Sequence, residues 1–201
     1  MSFACVGSHR SGKSTLAKAL AERLDIPYFD ASVSKIMSEG GFNGVADLPM
    51  IKRIEAQEYL IEKHWELTQK LPRPFITDRS PLDMIGYMLG EVTMHNTGPQ
   101  LAERIQRYVK RCLWVTDNTY AGVIILRPLP VYEVDPTKPP ENRAYQSLIQ
   151  TIVEGSARQC SWISTATLST DIHEIRMEAS VKYMTNIMCE LEKEKAKNTL
   201  H

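Results

Sequence analysis

The sequence has no surplus of either charge, since 24 lysine and arginine residues balance 24 aspartate and glutamate residues. This balance argues against a protein that coats duplex DNA mainly through phosphate contacts, although it allows a local basic groove. No apolar run is long enough to span a bilayer, so we expect no membrane partner. A chain of 201 residues with this ordinary composition predicts one globular domain, residues 1–201, with a sizeable core.

Cysteine is also scarce, with four scattered residues and no C-x-x-C pair. This usage argues against a disulfide framework or a zinc site and indicates a reducing compartment. The five histidines show no metal-ligand spacing either. We therefore expect a soluble cytoplasmic protein.

A glycine loop near the start of the chain carries the most specific pattern. Gly7 to Ser14 matches G-x-x-x-x-G-K-[ST]. The apolar run Phe3–Val6 before it predicts a buried strand, and leucine and alanine residues at helical spacing follow Lys13. A strand, a glycine loop and a helix in this order are the context that supports a nucleotide-binding motif.

The residue types of this loop suit a polyphosphate. Glycine lets the main chain bend and approach a ligand closely, and successive N–H groups at a helix N-terminus form a nest for anions. Lys13 supplies a positive charge for the outer phosphates, and the Ser14 hydroxyl is placed to reach Mg²⁺. The predicted nucleotide-binding residues are Gly7, Ser8, His9, Arg10, Ser11, Gly12, Lys13, Ser14 and Thr15.

Charged residues follow two further predicted strands. Asp30 ends the short strand that begins at Ile26, and Asp78 and Arg79 end a strand that begins at Pro74. The carboxyl edge of an open α/β sheet is where ligands bind. We expect Asp30 to act as a base or a metal-water ligand, Asp78 to hold Mg²⁺, and Arg79 to bind a phosphate. In the alternative, these residues only cap the helices that follow them. Asp83, in the first turn of the helix after Arg79, would interact with the helix dipole.

The region after the buried strand Ala121–Leu126 is rich in proline. We predict that residues 127–143 form a lid that closes over the nucleotide and excludes water. Arg143, with Arg127 and Lys138 as further candidates, would bring positive charge to the transition state. The alternative is a stiff surface loop with solvated charges.

The rest of the second half yields weaker predictions. Arg104, Arg107 and Arg111 share a helix face that would hold an acceptor phosphate or a DNA backbone, or would simply be a solvated charged face. Residues 160–164 predict a fifth strand, and residues 165–170 a polar loop beside a nucleobase. A final helix over about 171–196 has an apolar stripe that fits packing on the domain or on a second subunit in a homodimer.

These motifs together resemble the P-loop nucleoside and nucleotide kinases. Asp78-Arg79-Ser80 looks like the Asp-Arg of thymidylate kinases and the Glu-Arg-Ser of deoxynucleoside kinases. The phosphate loop, the predicted lid segment Asp135-Pro-Thr-Lys-Pro-Pro-Glu-Asn142 and the following Ala144-Tyr-Gln146 look most like small thymidylate-kinase-like proteins of bacteriophages, in the NadR-like ATPase/kinase group. If the protein is viral, its location would be the host cytoplasm.

The resemblance implies a doubly wound α/β domain with about five parallel strands in the order 2-3-1-4-5 and a lid. It implies ATP and Mg²⁺ as cofactors and a deoxynucleoside monophosphate as acceptor. Lys13 and Ser14 would hold the donor phosphates and the metal, Arg79 would contact the acceptor with Asp78 near the metal, and Arg143 would be the lid arginine.

Two other functions stay open at this point. The first is a kinase that phosphorylates 5-hydroxymethyluracil in phage DNA, with the arginine row tracking the DNA backbone. The second is a P-loop ATPase that acts as a switch or assembly protein and needs no acceptor.

Overall fold

The computed structural model describes residues 2–42, 48–93, 95, 97–131 and 142–199. Strands and helices alternate along most of the chain, as expected for a parallel sheet covered on both faces. The strands are β1 (Ser2–Val6), β2 (Tyr28–Phe29), β3 (Ile76–Thr77), β4 (Tyr120–Leu126) and β5 (Ser164–Leu168). The helices are α1 (Lys13–Leu24), α2 (Val33–Glu39), α3 (Met50–Gln69), α4 (Pro81–Val92), α5 (Pro99–Thr119), α6 (Arg143–Ala157) and α7 (His173–Thr199).

The five strands form one parallel sheet in the order β2-β3-β1-β4-β5. Both the predicted doubly wound fold and the predicted strand order are therefore confirmed. Ala4 of β1 is in register with Thr77 of β3 on one side and with Val123 of β4 on the other. This register brings the carboxyl ends of the three central strands to one edge of the sheet.

Alternating side chains of the central strands belong to two hydrophobic clusters on opposite faces of the sheet, as the two-residue period of a strand requires. Ala4 and Val6 of β1 lie in the cluster that α3, α4, α5 and α6 cover. Phe3 and Cys5 lie in the cluster on the opposite face, beneath α1 and α7. The apolar stripe of α7 therefore packs on its own domain, with Met184 buried at its centre.

The fifth strand lies later in the chain than predicted. It spans Ser164–Leu168, so the predictions of a strand at 160–164 and of a polar loop at 165–170 were wrong. The Asp117 carboxylate accepts the backbone N–H groups of Ser161 and Trp162, which ties this segment to the end of α5. Pairing with β4 begins at Ser164, opposite Gly122.

Several boundaries also differ from the prediction. The polar cluster at 117–119 predicted a loop and Gly155 predicted a helix end, but α5 continues through Thr119 and α6 continues past Gly155 to Ala157. The predicted lid residues 132–141, including Lys138, lie outside the described residues. Within the described residues, no helix combines the length and apolar character needed to cross a membrane.

Candidate active site

The glycine loop joins β1 to α1 and has the backbone geometry that an anion nest requires. Gly7 and Gly12 have positive φ angles of 139° and 81°. A Cβ atom on Gly7 would lie 2.3 Å from the carbonyl oxygen of Leu126, so no other residue fits there. The N-cap of α1 is Gly12, which supplies no side-chain cap, and the first turn contains no acidic residue. The N-terminal amides of α1 thus face no protein carboxylate from their own turn and suit an anionic ligand.

Lys13 lies across this loop. Its Nζ donates hydrogen bonds to the carbonyl oxygens of Gly7 and Ser8, both at 2.7 Å. Burial lowers the pKa of Lys13, while the nearby Asp83 carboxylate opposes that change. The ammonium group is therefore held at the mouth of the loop, where a polyphosphate would arrive.

Ser14 and Asp78 are brought together by the direct pairing of β3 with β1. The Ser14 hydroxyl donates a hydrogen bond to Oδ2 of Asp78, which is 7% exposed. Both are oxygen ligands of the kind that Mg²⁺ prefers. Among the described residues, no group of three or more His, Cys, Asp or Glu side chains could hold a metal ion. The pair could contribute two ligands to a magnesium ion, and the remaining ligands would have to come from phosphates and water.

The two other predicted residues lie on the same edge. Asp30 follows β2 directly and is exposed. Tyr28, two residues earlier, is partly buried, and this burial together with the Asp78 carboxylate raises its pKa. Arg79 follows Asp78 and is half-buried, and its backbone N–H donates to the Thr77 hydroxyl at 3.4 Å.

Asp83 has a larger role than the dipole partner that the sequence indicated. Its Oδ1 accepts the backbone N–H of Gly7 at 3.0 Å, and its Oδ2 accepts that of Ser80 at 2.9 Å. The Ser80 hydroxyl in turn accepts the N–H of Leu82, which completes a capping box at the start of α4. Burial raises the pKa of Asp83, while Lys13 opposes that rise. One buried carboxylate therefore caps α4 and anchors the glycine loop.

Three further side chains hold the loop, and the sequence analysis did not assign them this role. Oε1 of Gln150 accepts the N–H of Ser8 at 3.0 Å, and Nε2 of Gln146 donates to the carbonyl oxygen of His9 at 2.7 Å. Arg176 of α7 donates to the carbonyl oxygen of Ser11 at 2.6 Å. Gln146 appears in the sequence analysis only within the Ala144-Tyr-Gln146 resemblance, and the remaining sequence signal is two glutamines four residues apart on the inward face of an amphipathic helix.

A mainly aromatic wall extends from the loop between α3, α4 and α6. The rings of His9 and Tyr145 lie 6.3 Å apart, and the Tyr87 side chain lies near Arg79 and the main chain of His9. Burial, with the Glu91 carboxylate nearby, raises the pKa of Tyr145 to about 12. Glu91 also forms an ion pair with Arg53 of α3 at 3.3 Å. This aromatic wall is defined by His9, Tyr87, Tyr145, Glu91 and Arg53.

The two described arginines at the ends of the predicted lid contact nearby groups. The guanidinium of Arg127, which is exposed, lies 3.5 Å from Glu154. Arg143 is the first residue of α6 and donates to the carbonyl oxygen of Pro130 at 3.0 Å. In this structure Arg143 thus links the two ends of the 127–143 segment.

The three arginines of α5 each pair with a glutamate. Arg104 and Arg111 form two hydrogen bonds each, to Glu58 and Glu62 respectively. Arg107 pairs with Glu103 one turn away, at 2.8 Å. These contacts favour the charged-face interpretation of this row over a DNA-binding surface.

The sheet order, the glycine loop, and the Ser14–Asp78 pair define a phosphate-binding α/β domain of the P-loop class. A family profile described as an AAA domain, AAA_28, matches residues 2–174. The chain belongs to this family. No curated protein matches the sequence significantly.

Solved structures of nucleotide kinases share the fold. Deoxyadenosine kinase from M. mycoides with bound dATP is 14% identical with a TM-score of 0.59, and the match covers 94% of this chain and 99% of that one. Thymidylate kinase from Candida albicans is 16% identical with a TM-score of 0.56, covering 92% of each chain. Thymidylate kinase from Ehrlichia chaffeensis is 16% identical with a TM-score of 0.59, covering 92% of this chain and 98% of that one. At these identities the similarity establishes the fold.

Proposed function

We propose that the protein is an ATP- and Mg²⁺-dependent kinase that transfers the γ-phosphoryl group to a deoxynucleoside monophosphate, with thymidylate as the first candidate. The contact between Ser14 and Asp78 carries this proposal. It places the end of β3 against the phosphate loop, and so brings Arg79 next to the site where a donor phosphate would bind. A nucleotide-binding loop with an arginine such as Arg79 beside its outer end is an arrangement that suits phosphoryl transfer.

The roles of the residues follow from their positions. Lys13 and the loop amides would bind the β- and γ-phosphates, while Ser14 and Asp78 would hold Mg²⁺, which neutralises phosphate charge when it is bound. Arg79 would orient the acceptor phosphate, and Asp30 would supply a second carboxylate on the same edge. Arg143 would exchange its contact with Pro130 for one with the transferring group when the lid closes. Catalysis would rest on positioning and on charge neutralisation.

The aromatic wall supports a nucleotide as the acceptor. Tyr87 and Tyr145 offer flat apolar surface to a base. The pair Asp78-Arg79 has the aspartate of the thymidylate-kinase pattern, which supports a monophosphate acceptor. The similarity in fold to kinases of deoxynucleosides and of thymidylate agrees with this choice.

Labelled ATP tests the proposal directly. The purified protein would be incubated with ATP, Mg²⁺ and a panel of deoxynucleosides, their monophosphates and DNA containing 5-hydroxymethyluracil. We expect label in a deoxynucleoside diphosphate, and no transfer by a Lys13→Ala variant. Lys18→Ala is the matched control, because Lys18 lies on the same helix and is exposed. Transfer that survives Lys13→Ala, or label on a nucleoside or DNA alone, would contradict the proposal.

The family description as an AAA domain favours a second candidate, an ATPase that needs no acceptor. In that case ATP turnover would proceed at the same rate with and without every member of the panel. A kinase of modified DNA has less support, because Arg104, Arg107 and Arg111 are each paired with glutamate.

A further inference from the structure

Arg176 of α7 is an arginine in an unusual place. It is only 3% exposed, and burial lowers its pKa. Arginine is seldom buried unless its charge is compensated. The compensation here comes mainly from main-chain carbonyl groups, which suggests that the guanidinium is used to hold backbone segments.

The guanidinium donates to three segments that are distant in sequence. Nη1 donates to Ser11 O at 2.6 Å, Nη2 to Arg127 O at 3.0 Å, and Nε to Thr170 O at 2.5 Å. These carbonyls belong to the phosphate loop after β1, the first residue after β4, and the turn after β5. Because β1, β4 and β5 are neighbours in the sheet, one side chain joins three consecutive strand ends.

The contact with Ser11 also orients the face that binds phosphate. In a trans peptide the C=O and the following N–H point in opposite directions. With the Ser11 carbonyl held towards Arg176, the N–H of Gly12 is directed away from the guanidinium. A Cβ atom on Gly12 would lie 3.4 Å from Nη1, so the guanidinium stands directly behind this glycine.

A backbone hydrogen bond reinforces the link to the start of the lid segment, which here means residues 127–143. Leu129 N donates to the carbonyl oxygen of Arg10 at 3.2 Å, two residues beyond the Arg127 carbonyl that Arg176 holds. The start of the 127–143 segment is thus fastened to the phosphate loop at two points. A planar guanidinium can serve three diverging acceptors at once, whereas the ammonium group of lysine lacks this fixed fork.

We propose that Arg176 is a positioning residue for the donor nucleotide. It holds the phosphate loop, the start of the lid segment and the β5–α7 turn in one arrangement, so that phosphate binding at the loop also orders the other two segments. This inference rests on the proposed function only in assigning a nucleotide to the phosphate loop.

The test uses the full chain with Arg176→Gln and Arg176→Lys. Arg158→Gln is the matched control, because Arg158 is exposed at the end of α6. Binding of ATP with Mg²⁺ would be measured by calorimetry, and the KM values for ATP and for the acceptor by steady-state kinetics. We expect both Arg176 variants to bind ATP at least about tenfold more weakly, since a hydrogen bond to a charged group typically contributes that much to an equilibrium. The acceptor KM should stay unchanged, and lysine should restore little.

Hydrogen exchange supplies a readout that a purely structural role would not move. In the wild type, a saturating non-hydrolysable ATP analogue should protect residues 127–131 and 169–172 as well as the loop. In Arg176→Gln, saturating analogue should protect the loop alone. Unchanged ATP affinity, equal weakening for donor and acceptor, or full protection of all three segments in the variant would overturn the inference.

The two proposals fail in different ways. If the wild type binds ATP but transfers no phosphate, the proposed function fails while the binding and exchange experiments still decide the role of Arg176. If the wild type binds no ATP, both proposals are overturned.

Discussion

Replacing Asp83 by asparagine removes one charge and one acceptor from the joint between α4 and the phosphate loop. The carboxylate accepts two backbone N–H groups, from Gly7 at 3.0 Å and from Ser80 at 2.9 Å, and the residue is 2% exposed. Asparagine has nearly the same shape but only one acceptor oxygen. One of the two N–H groups must therefore face an NH₂ group with no water to replace the lost bond.

The magnitude follows from these contacts. A hydrogen bond to a charged group contributes about 1.5–3 kcal/mol, and a buried N–H without a partner costs about as much. An amide is cheaper to bury than a carboxylate, and burial already raises the pKa of Asp83, which offsets part of this loss. We expect the free energy of unfolding to fall by about 2 kcal/mol.

Urea unfolding followed by tryptophan fluorescence measures this change. With a typical slope of about 2 kcal/mol per molar urea, the midpoint should fall by about 1 M. ATP binding should weaken as well, because the Gly7 end of the loop loses its anchor. Asp117→Asn is the matched control: this carboxylate also accepts two backbone N–H groups, but at an exposed site remote from the loop. We expect that control to lose less than about 1 kcal/mol and to keep its ATP affinity.

A result in which Asp83→Asn unfolds at the wild-type urea concentration would refute the reasoning. It would mean that the loop finds another acceptor, and that the bond across 76 residues is not a constraint on the site. An equal loss in the Asp117→Asn control would also refute it, because burial would then not be the cause.

Three further outcomes are expected. Asp78→Asn should raise the Mg²⁺ concentration needed for half-maximal turnover by about tenfold or more, because Ser14 would lose its anionic partner at the proposed metal site. His64 is fully buried, and burial lowers its pKa from 6.5 to about 4. The unfolded chain therefore binds a proton at this histidine more readily than the folded chain does. The free energy of unfolding should be at its full value above pH 6.5 and should fall by up to about 3 kcal/mol as the pH drops to 4. Gly155→Ala, at an exposed position of α6 with open space around its Cβ, should add about 0.5–1 kcal/mol. Gly86→Ala should destabilise the protein, because its Cβ would meet Val153 at 2.9 Å.

Each of these has a decisive measurement. Titration of turnover with Mg²⁺ that gives the same midpoint for Asp78→Asn would remove Asp78 from the metal site. Urea unfolding between pH 7 and pH 4 should show a weaker pH dependence in His64→Leu than in the wild type, and equal slopes would contradict the histidine argument. Thermal unfolding compares the two glycine variants, and a Gly86→Ala protein as stable as Gly155→Ala would contradict the close packing of α4 on α6.

The local motifs were within reach of the sequence because each depends on residues that are close in the chain. The strand, glycine loop and helix at the N-terminus are determined by neighbouring residues: an apolar run forms the strand, glycines allow the loop, and apolar residues at helical spacing form the helix. The buried strand β4 was similarly clear, since a continuous β-branched run has few alternatives in a parallel sheet. Asp78 and Arg79 could be placed on the ligand edge because every parallel strand ends on that side.

The edge strand β5 escaped this reasoning, because its serine and threonine residues are exposed and the strand carries little hydrophobic pattern. The segment just before it is held by Asp117, a residue of α5 that lies far away in the chain. The same holds for the groups that hold the phosphate loop. Asp83, Gln150 and Arg176 reach main-chain atoms across 76, 142 and 165 residues.

The sequence by itself determined that a phosphate loop lies beside a strand edge with an aspartate and an arginine. Only the tertiary structure decided which side chains hold that loop and which charged groups lie beside it. The reason is physical: a side chain that bonds to a distant carbonyl or N–H recognises no particular residue there, so it leaves no pattern in either segment until the sheet brings them together.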